Sequence, residues 1–522
     1  MNKSDKNNGK LCVLGIILVG FFLRVFRLGA MSLWFDEACS VSFASNSLND
    51  FFSHRYIVKP VYFLLLKAWT ASFGCREFST RFLSLIFGML SVFLIYKLAR
   101  MLFNQKVAII SAFILAFSAF HINYSQQVRN YTLFGFLGLA SMIFFLKWLK
   151  KNKSSDFISY LLINICLIFT HPFGVFIILT QSICLVAFIR KAKKNSINKK
   201  HRLCFLSQFL LVAFFFLITC ILFKNSLNQN LQDFKYMPVP SNNLLLETFE
   251  VFASGGTMQR HGGLTRVLNY GQLFLPRLIS AIFIPLFFLG VFFRKRNDPS
   301  YLKTRMGVLF LLLWVALTVS LSFAFSLLFF PIYLTRYLFA TAPAFYILAA
   351  RGLVCLPKRI YQLAALAAIG FLSILSLNIQ YNASLNDSWK EIANCLKGNI
   401  TRGDSIAFYP LDQIVPFWFY YKYEDAVPLK GIDRYGKNIS GKWYSEFIDG
   451  SNWITGIGLN ENKTLMVKKL ARLKNRENDI WLICVNRGKA LFFKKNIELS
   501  YKLKKKYCFT QEGIELCHYV PF

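Results

Sequence analysis

Long apolar runs, each closed by a short polar stretch, dominate the chain up to about residue 378. A segment crossing the hydrocarbon core needs about 20 mostly apolar residues, because no water is present there to satisfy its backbone groups. About eleven runs fit that requirement, with cores at 11–28, 80–99, 107–121, 131–148, 156–171, 172–189, 203–223, 273–293, 306–326, 337–355 and 359–378. The pattern predicts a mainly α polytopic membrane protein over residues 1–378. Beyond it the periodicity changes: DSIAFYP and DIWLICVN read as buried strands, and SWKEIANCLKGNI and NKTLMVKKLARLKN carry helical spacing. Residues 379–522 are therefore expected to form a small α/β domain.

Two connections are long. In the first, residues 29–79, the stretch PVYFLLLKAWTASFG at 60–74 is apolar but short for a span, and its Lys67 and Trp69 suit a helix lying in the membrane interface. The other, 224–272, contains ASGGTMQRHGGL, which lacks the GK[ST] ending of a phosphate loop and follows no expected strand, so it reads as a solvated loop in preference to a flexible lid over an outer-face cavity.

Composition agrees with the membrane reading: of 522 residues, 55% are hydrophobic and only 16% charged, too apolar a balance for a soluble enzyme. The net charge of +36 suggests nucleic acid until its placement is considered. ARMLFNQK, KWLKKNK, RKAKKNSINKKHR, FRKRNDPSYLKTR and RGLVCLPKR fall in every second connection, as the positive-inside bias requires of cytoplasmic loops, so no nucleic-acid partner is expected. Residues 29–79, 122–130, 224–272, 327–336 and the C-terminal region then lie outside. The first run has a basic leader but carries Arg24 and Arg27 near its end and reads as a retained signal anchor. Twelve cysteines show no CxxC pair. Cys508 and Cys517 flank FTQEGIEL, which reads as a hairpin holding two small hydrophobes or a bond across it.

This topology gathers chemistry-bearing side chains on one face. SLWFDEACSV places Asp36 and Glu37 just after the first run, Lys59 precedes Pro60, and HINYSQQVRNY supplies Gln126, Gln127, Arg129 and Tyr131. His171 ends a run on the same side, and YLTRY brings Arg336 and Tyr337. A carboxylate accepts the proton of an attacking hydroxyl, while Lys and Arg neutralise charge on a departing phosphate. His54, His121, His171 and His261 share that side without metal-ligand spacing.

Several stretches, in order, resemble the GT-C superfamily of polyprenyl-phosphate-dependent glycosyltransferases, in particular the bacterial branch of the protein O-mannosyltransferase family (glycosyltransferase family 39-like) that includes the aminoarabinose transferases of lipid A. They are LWFDEA, KPVYFLLLKAWTASFG, FSTRFLSLIFGMLSVFLIYKLARMLF, SAFHINYSQQVRNYTLFG, THPFGVFIIL, YLTRYLFATAPAFYILAARGL and SWKEIANCLKGNITRGDSIAFY. The resemblance implies a GT-C fold in a bacterial inner membrane, with site and C-terminal domain on the periplasmic side. It implies transfer of one sugar from a polyprenyl-phosphate donor to a lipid, glycan or protein acceptor, by direct inverting attack. Asp36 would be the base, and Glu37 a supporting catalytic carboxylate or ligand to a divalent metal ion. Lys59, Arg129 and Arg336 would bind the donor phosphate, and Gln126, Tyr131, His171 and Tyr337 the substrates. Two positions depart from the pattern: Cys39 stands where aminoarabinose transferases resemble one another in having arginine, and Gln127 where many bacterial relatives have glutamate. Other classes compatible with the composition are a transporter or lipid-sugar flippase and a non-catalytic polyprenyl-lipid-binding protein. A transporter would carry charges near the midplane of its spans, whereas here they cluster at one face.

Overall fold

The computed structural model describes residues 3–45, 59–191, 199–223, 239–255, 270–293, 301–382, 389–400, 404–409, 413–421, 446–448, 452–456, 479–485, 503–511 and 514–521. Every expected span is helical. In chain order come α1 (Lys3–Val25), α2 (Phe35–Ser45), α3 (Pro60–Phe73), α4 (Glu77–Leu102), α5 (Gln105–Phe117), α6 (Ala119–Ser125), α7 (Tyr131–Lys151), α8 (Ser154–Ile168) and α9 (Gly174–Lys191). They continue with α10 (Lys199–Phe223), α11 (Asn242–Ser254), α12 (Tyr270–Phe292), α13 (Tyr301–Leu328), a 3-10 turn (Thr335–Thr341), α14 (Ala342–Cys355) and α15 (Arg359–Asn382). Among the described residues six helices are long and apolar enough to cross a membrane, and the bent pair α5–α6 makes a seventh. The protein is a multi-pass membrane protein.

The run expected at 156–171 gives a shorter helix, ending at Ile168. Pro172 explains the stop, because its ring disfavours helical geometry at the preceding residue, His171. The run at 107–121 is broken: α5 and α6 meet at 58°. Ser118 is extended there, and its hydroxyl caps α6 by accepting the His121 N–H at 3.2 Å. The carbonyls released at the end of α5 need donors, since lipid supplies none. Arg24, fully buried in α1, supplies them, with 2.8 Å to the Ala116 oxygen and 3.1 Å to that of Leu115.

Elsewhere small residues let backbones touch. A Cβ on Gly352 of α14 would strike the Leu286 carbonyl of α12, and one on Gly290 of α12 would strike that of Leu348. Glycine is required on both sides of this crossing. Arg351, next to Gly352, donates to the Gly290 and Phe293 carbonyls and so closes the end of α12.

The anticipated helix at 60–74 is α3, which packs with α2. The anticipated strands are present as β1 (Ser405–Tyr409) and β4 (Ile480–Val485), and SWKEIANCLKGNI forms α16 (Trp389–Lys397). NKTLMVKKLARLKN and most of ASGGTMQRHGGL lie outside the described residues. With α17 (Ile414–Tyr421), β2 (Glu446–Ile448), β3 (Asn452–Gly456), β5 (Leu503–Gln511) and β6 (Ile514–Pro521), these form an α/β unit. Its sheet has the order β2-β3-β1-β4-β6-β5, with β1 parallel to both β3 and β4. The hairpin expected around FTQEGIEL is β5–β6, and Cys508 stands opposite Cys517 in its register. One side of the sheet meets α17 through Phe408 and Phe417, whose rings lie 5.0 Å apart.

This unit reaches the membrane part through α17, which packs on α2. The Leu33 N–H donates to the Tyr420 hydroxyl at 2.7 Å, and that hydroxyl donates to Glu77 Oε1 at 3.1 Å. The segment leading into α2 is thereby held from the C-terminal side.

Candidate active site

The two adjacent carboxylates of α2 have different fates. Glu37 is fully buried, and its oxygens lie 2.9 and 2.8 Å from Nε and Nη2 of Arg81 in α4. Its Oε1 also accepts the Val128 N–H at 2.9 Å and its Oε2 the Trp34 N–H at 3.3 Å. The rest of the Arg81 fork donates to the carbonyls of Leu28, Met31 and Ser32 at 3.0, 2.8 and 2.9 Å. The pair thus stitches the connection after α1, α4 and the turn after α6 into one piece. A carboxylate committed to four N–H donors, two of them from a bound guanidinium, has little capacity left for a divalent cation. Among the described residues no three His, Cys, Asp or Glu side chains come together as a metal site. Glu37 therefore acts as a clamp, and the residues around it do not fit the metal role that the resemblance implied.

Asp36, one residue earlier, points elsewhere and remains partly exposed. Its Oδ2 lies 3.5 Å from Nη2 of Arg129, whose Nη1 also reaches the Asp36 carbonyl at 3.3 Å and the Ser40 hydroxyl at 3.4 Å. Arg129 sits in the turn between α6 and α7, and every side of that turn is fixed. Gln126 donates to the carbonyls of Arg24 and Phe26, both at 2.9 Å, Ser84 bonds the Arg129 carbonyl, and Asn130 donates to Thr170. The amide nitrogen of Gln126 is thus spent on the end of α1 and positions the turn.

Around Arg129 the remaining candidates converge. Its guanidinium lies 5.8 Å from the Tyr131 ring, and that of Arg336 lies 5.6 Å from the Tyr337 ring. The His171 ring lies 4.9 Å from Tyr337 and 6.1 Å from Tyr131. Lys59 arrives at the start of α3, where the Val61 N–H donates to the Phe169 carbonyl. Burial, followed by the charges of Lys59, Arg129 and Arg336, holds the imidazole of His171 well below its ordinary value. Three cations thus surround one neutral histidine. Burial works against the charge on Arg129, but the Asp36 carboxylate and the Tyr131 oxygen outweigh it and hold its pKa above the usual arginine value. The Nε atoms of both Arg129 and Arg336 are buried and have no hydrogen-bond partner. Buried arginine donors left without acceptors mark a place for an anion.

Beside this cluster opens a cavity of about 110 Å³, walled by Trp34, Tyr124, Gln127, Tyr131 and Arg336 and, from α11, by Glu247. Three of these contributors were missed from the sequence. Trp34 and Tyr124 stood inside quoted motifs but gave no chemical signal of their own, and Glu247 lay in a connection read as solvated. Arg81 was missed too, although a lone arginine inside an apolar run is a signal for a buried partner.

A family model described as dolichyl-phosphate-mannose-protein mannosyltransferase matches residues 58–221. No curated protein matches the sequence. Among solved structures, ArnT from Cupriavidus metallidurans in the apo state superposes with a TM-score of 0.54 at 12% identity, covering 98% of both chains. The same protein bound to undecaprenyl phosphate gives 0.54 at 13% identity, covering 97% of both. The Archaeoglobus fulgidus oligosaccharyltransferase in complex with Zn and sulfate gives 0.52 at 14% identity, covering 98% of this chain and 73% of that one. The chain has the fold of these structures, and the family model matches within its membrane part.

Proposed function

We propose that this GT-C chain transfers a sugar from a polyprenyl-phosphate donor to an acceptor hydroxyl or phosphate at the extracytoplasmic face of a bacterial inner membrane. The observation that carries the reading is the convergence of Asp36 with Arg129, Arg336 and Lys59 beside one open cavity. The phosphate of the donor sits among the three cations, where the two unpartnered arginine Nε atoms become satisfied. The solved ArnT complex with undecaprenyl phosphate supports a lipid of this class.

In the reaction the acceptor oxygen forms a bond to the anomeric carbon as its proton passes to the Asp36 carboxylate. The bond from that carbon to the phosphate oxygen breaks, and polyprenyl phosphate leaves with the electron pair. Attack opposite the leaving group inverts the anomeric centre. Arginine forks and a lysine stabilise the charge that grows on the leaving phosphate, an interaction strongest in the transition state. The clamp of Glu37 and Arg81 fixes α2 and with it the base. The alternation of basic loops supports the placement outside the cytoplasm.

The test is release of polyprenyl phosphate from a labelled polyprenyl-phosphate sugar by purified protein in nanodiscs. Asp36→Asn is expected to lower the rate by about 10²- to 10⁴-fold, the usual contribution of a general base. Full activity in that variant removes Asp36 as the base, and donor that remains intact with wild-type protein under every acceptor tried removes the reaction.

A further inference from the structure

The cavity beside the cation cluster is lined by both a cation and a carboxylate, and no step of the proposed reaction uses the carboxylate. The cation is Arg336, whose buried Nε lacks a partner. Trp34, Tyr124 and Tyr131 add aromatic surface to the lining. The same lining includes Glu247, an exposed carboxylate on α11, and Gln127. Gln127 is held in place, its amide donating to Asn123 Oδ1 at 3.0 Å. Helix α11 is held too: the Thr248 hydroxyl, next to Glu247, lies 2.8 Å from that of Tyr333, on the segment that carries Arg336.

A ligand that fits this lining has an anionic group for Arg336, a ring with apolar faces for the aromatics and hydrogen-bond donors for Glu247. That is the chemistry of a glycosyl phosphate, and the open cavity admits one from the side of the cation cluster. We infer that Glu247 is the specificity-determining residue of the sugar subsite, accepting hydrogen bonds from the hydroxyl or ammonium groups of a neutral or cationic glycosyl unit. The same carboxylate excludes sugars that carry a carboxylate of their own, because two like charges would be brought together in a partly enclosed space. Asp36 and the cations act on any donor, whereas Glu247 touches only the part that distinguishes one sugar from another. The inference rests on the glycosyltransferase reading and names its substrate class.

The experiment measures binding in the Asp36→Asn background, where turnover does not interfere, with the full chain in nanodiscs. Four probes are used: undecaprenyl phosphate, and undecaprenyl phosphate bearing glucose, 4-amino-4-deoxyarabinose or glucuronic acid. Glu247→Gln is expected to weaken the glucosyl or the aminosugar donor by about 10- to 100-fold, the loss that follows removal of a charged hydrogen-bond acceptor. A larger loss for the aminosugar identifies an ammonium as the group held, and a larger loss for glucose identifies hydroxyls. Undecaprenyl phosphate itself should bind unchanged, the glucuronosyl donor should improve, and Glu247→Asp should recover part of the loss. Equal binding of all four probes by both proteins overturns the inference while leaving the transferase reading intact, as does equal weakening of all four. Failure of undecaprenyl phosphate to bind even with Glu247 present overturns both.

Discussion

Replacing Glu37 by glutamine tests whether the two neighbouring carboxylates have been assigned correctly. Four N–H groups end on Glu37: Nε and Nη2 of Arg81 and the backbone N–H groups of Val128 and Trp34. Glutamine has one oxygen to accept and an NH₂ that must face donors, so up to two of the four lose their acceptor and the buried guanidinium loses its counter-charge. Breaking a buried pair from one side costs about 3–5 kcal/mol, a large share of the roughly 5–15 kcal/mol that holds a typical domain folded. Asp36→Asn disturbs only a partly exposed pair with Arg129, worth about 0–1 kcal/mol. The two variants should therefore give opposite signatures when unfolding in mixed micelles, followed by tryptophan fluorescence, is set beside transfer rate. The glutamine variant loses stability, and its surviving folded fraction retains measurable transfer. The asparagine variant unfolds like the native protein and transfers almost nothing. A Glu37→Gln protein of native stability with abolished turnover would refute the clamp and return Glu37 to the chemistry.

Two further outcomes follow from the packing and from the histidine. Gly352→Ala places a methyl against the Leu286 carbonyl, forcing α12 and α14 apart at a cost of about 1–3 kcal/mol, to be read as a lower unfolding midpoint. His171 is held neutral in the folded protein by burial and three neighbouring cations, whereas in the unfolded chain it takes up a proton near its ordinary value of about 6.5. The unfolded state then binds more protons below that value, so this group's contribution to stability falls as pH drops through about 6.5, and His171→Gln should flatten that part of the profile. An unchanged slope in the variant would show that other groups set it.

Much of this was legible in the chain because lipid imposes a strong rule on composition. Apolar runs of span length located the helices, and alternating basic loops gathered Asp36, Lys59, Arg129, Tyr131, His171, Arg336 and Tyr337 on one side before any contact was known. What the pattern does not carry is direction. Gln126 lies three residues from Arg129 in the same turn yet is spent on the carbonyls that end α1. Glu37 adjoins Asp36, but a helical step of about 100° sends its side chain to Arg81, 44 positions away along the chain. The break at Ser118 had no proline to announce it and depends on Arg24 from another helix. Glu247 became visible only when α11 was placed against the segment that bears Arg336.

The two hydrogen bonds of Tyr420 have a consequence for how such a chain can diverge. A soluble appendage joined by a plain linker is free to be exchanged, lengthened or lost, because nothing in the membrane half registers the change. Here a single phenol ties the appendage to the strand of backbone that presents the base and to the first turn of the helix that supplies Arg81. The two parts must therefore be inherited as a matched set. A recombinant that borrows the distal half from a distant homologue would carry every catalytic side chain and still present its base from a loosened mount.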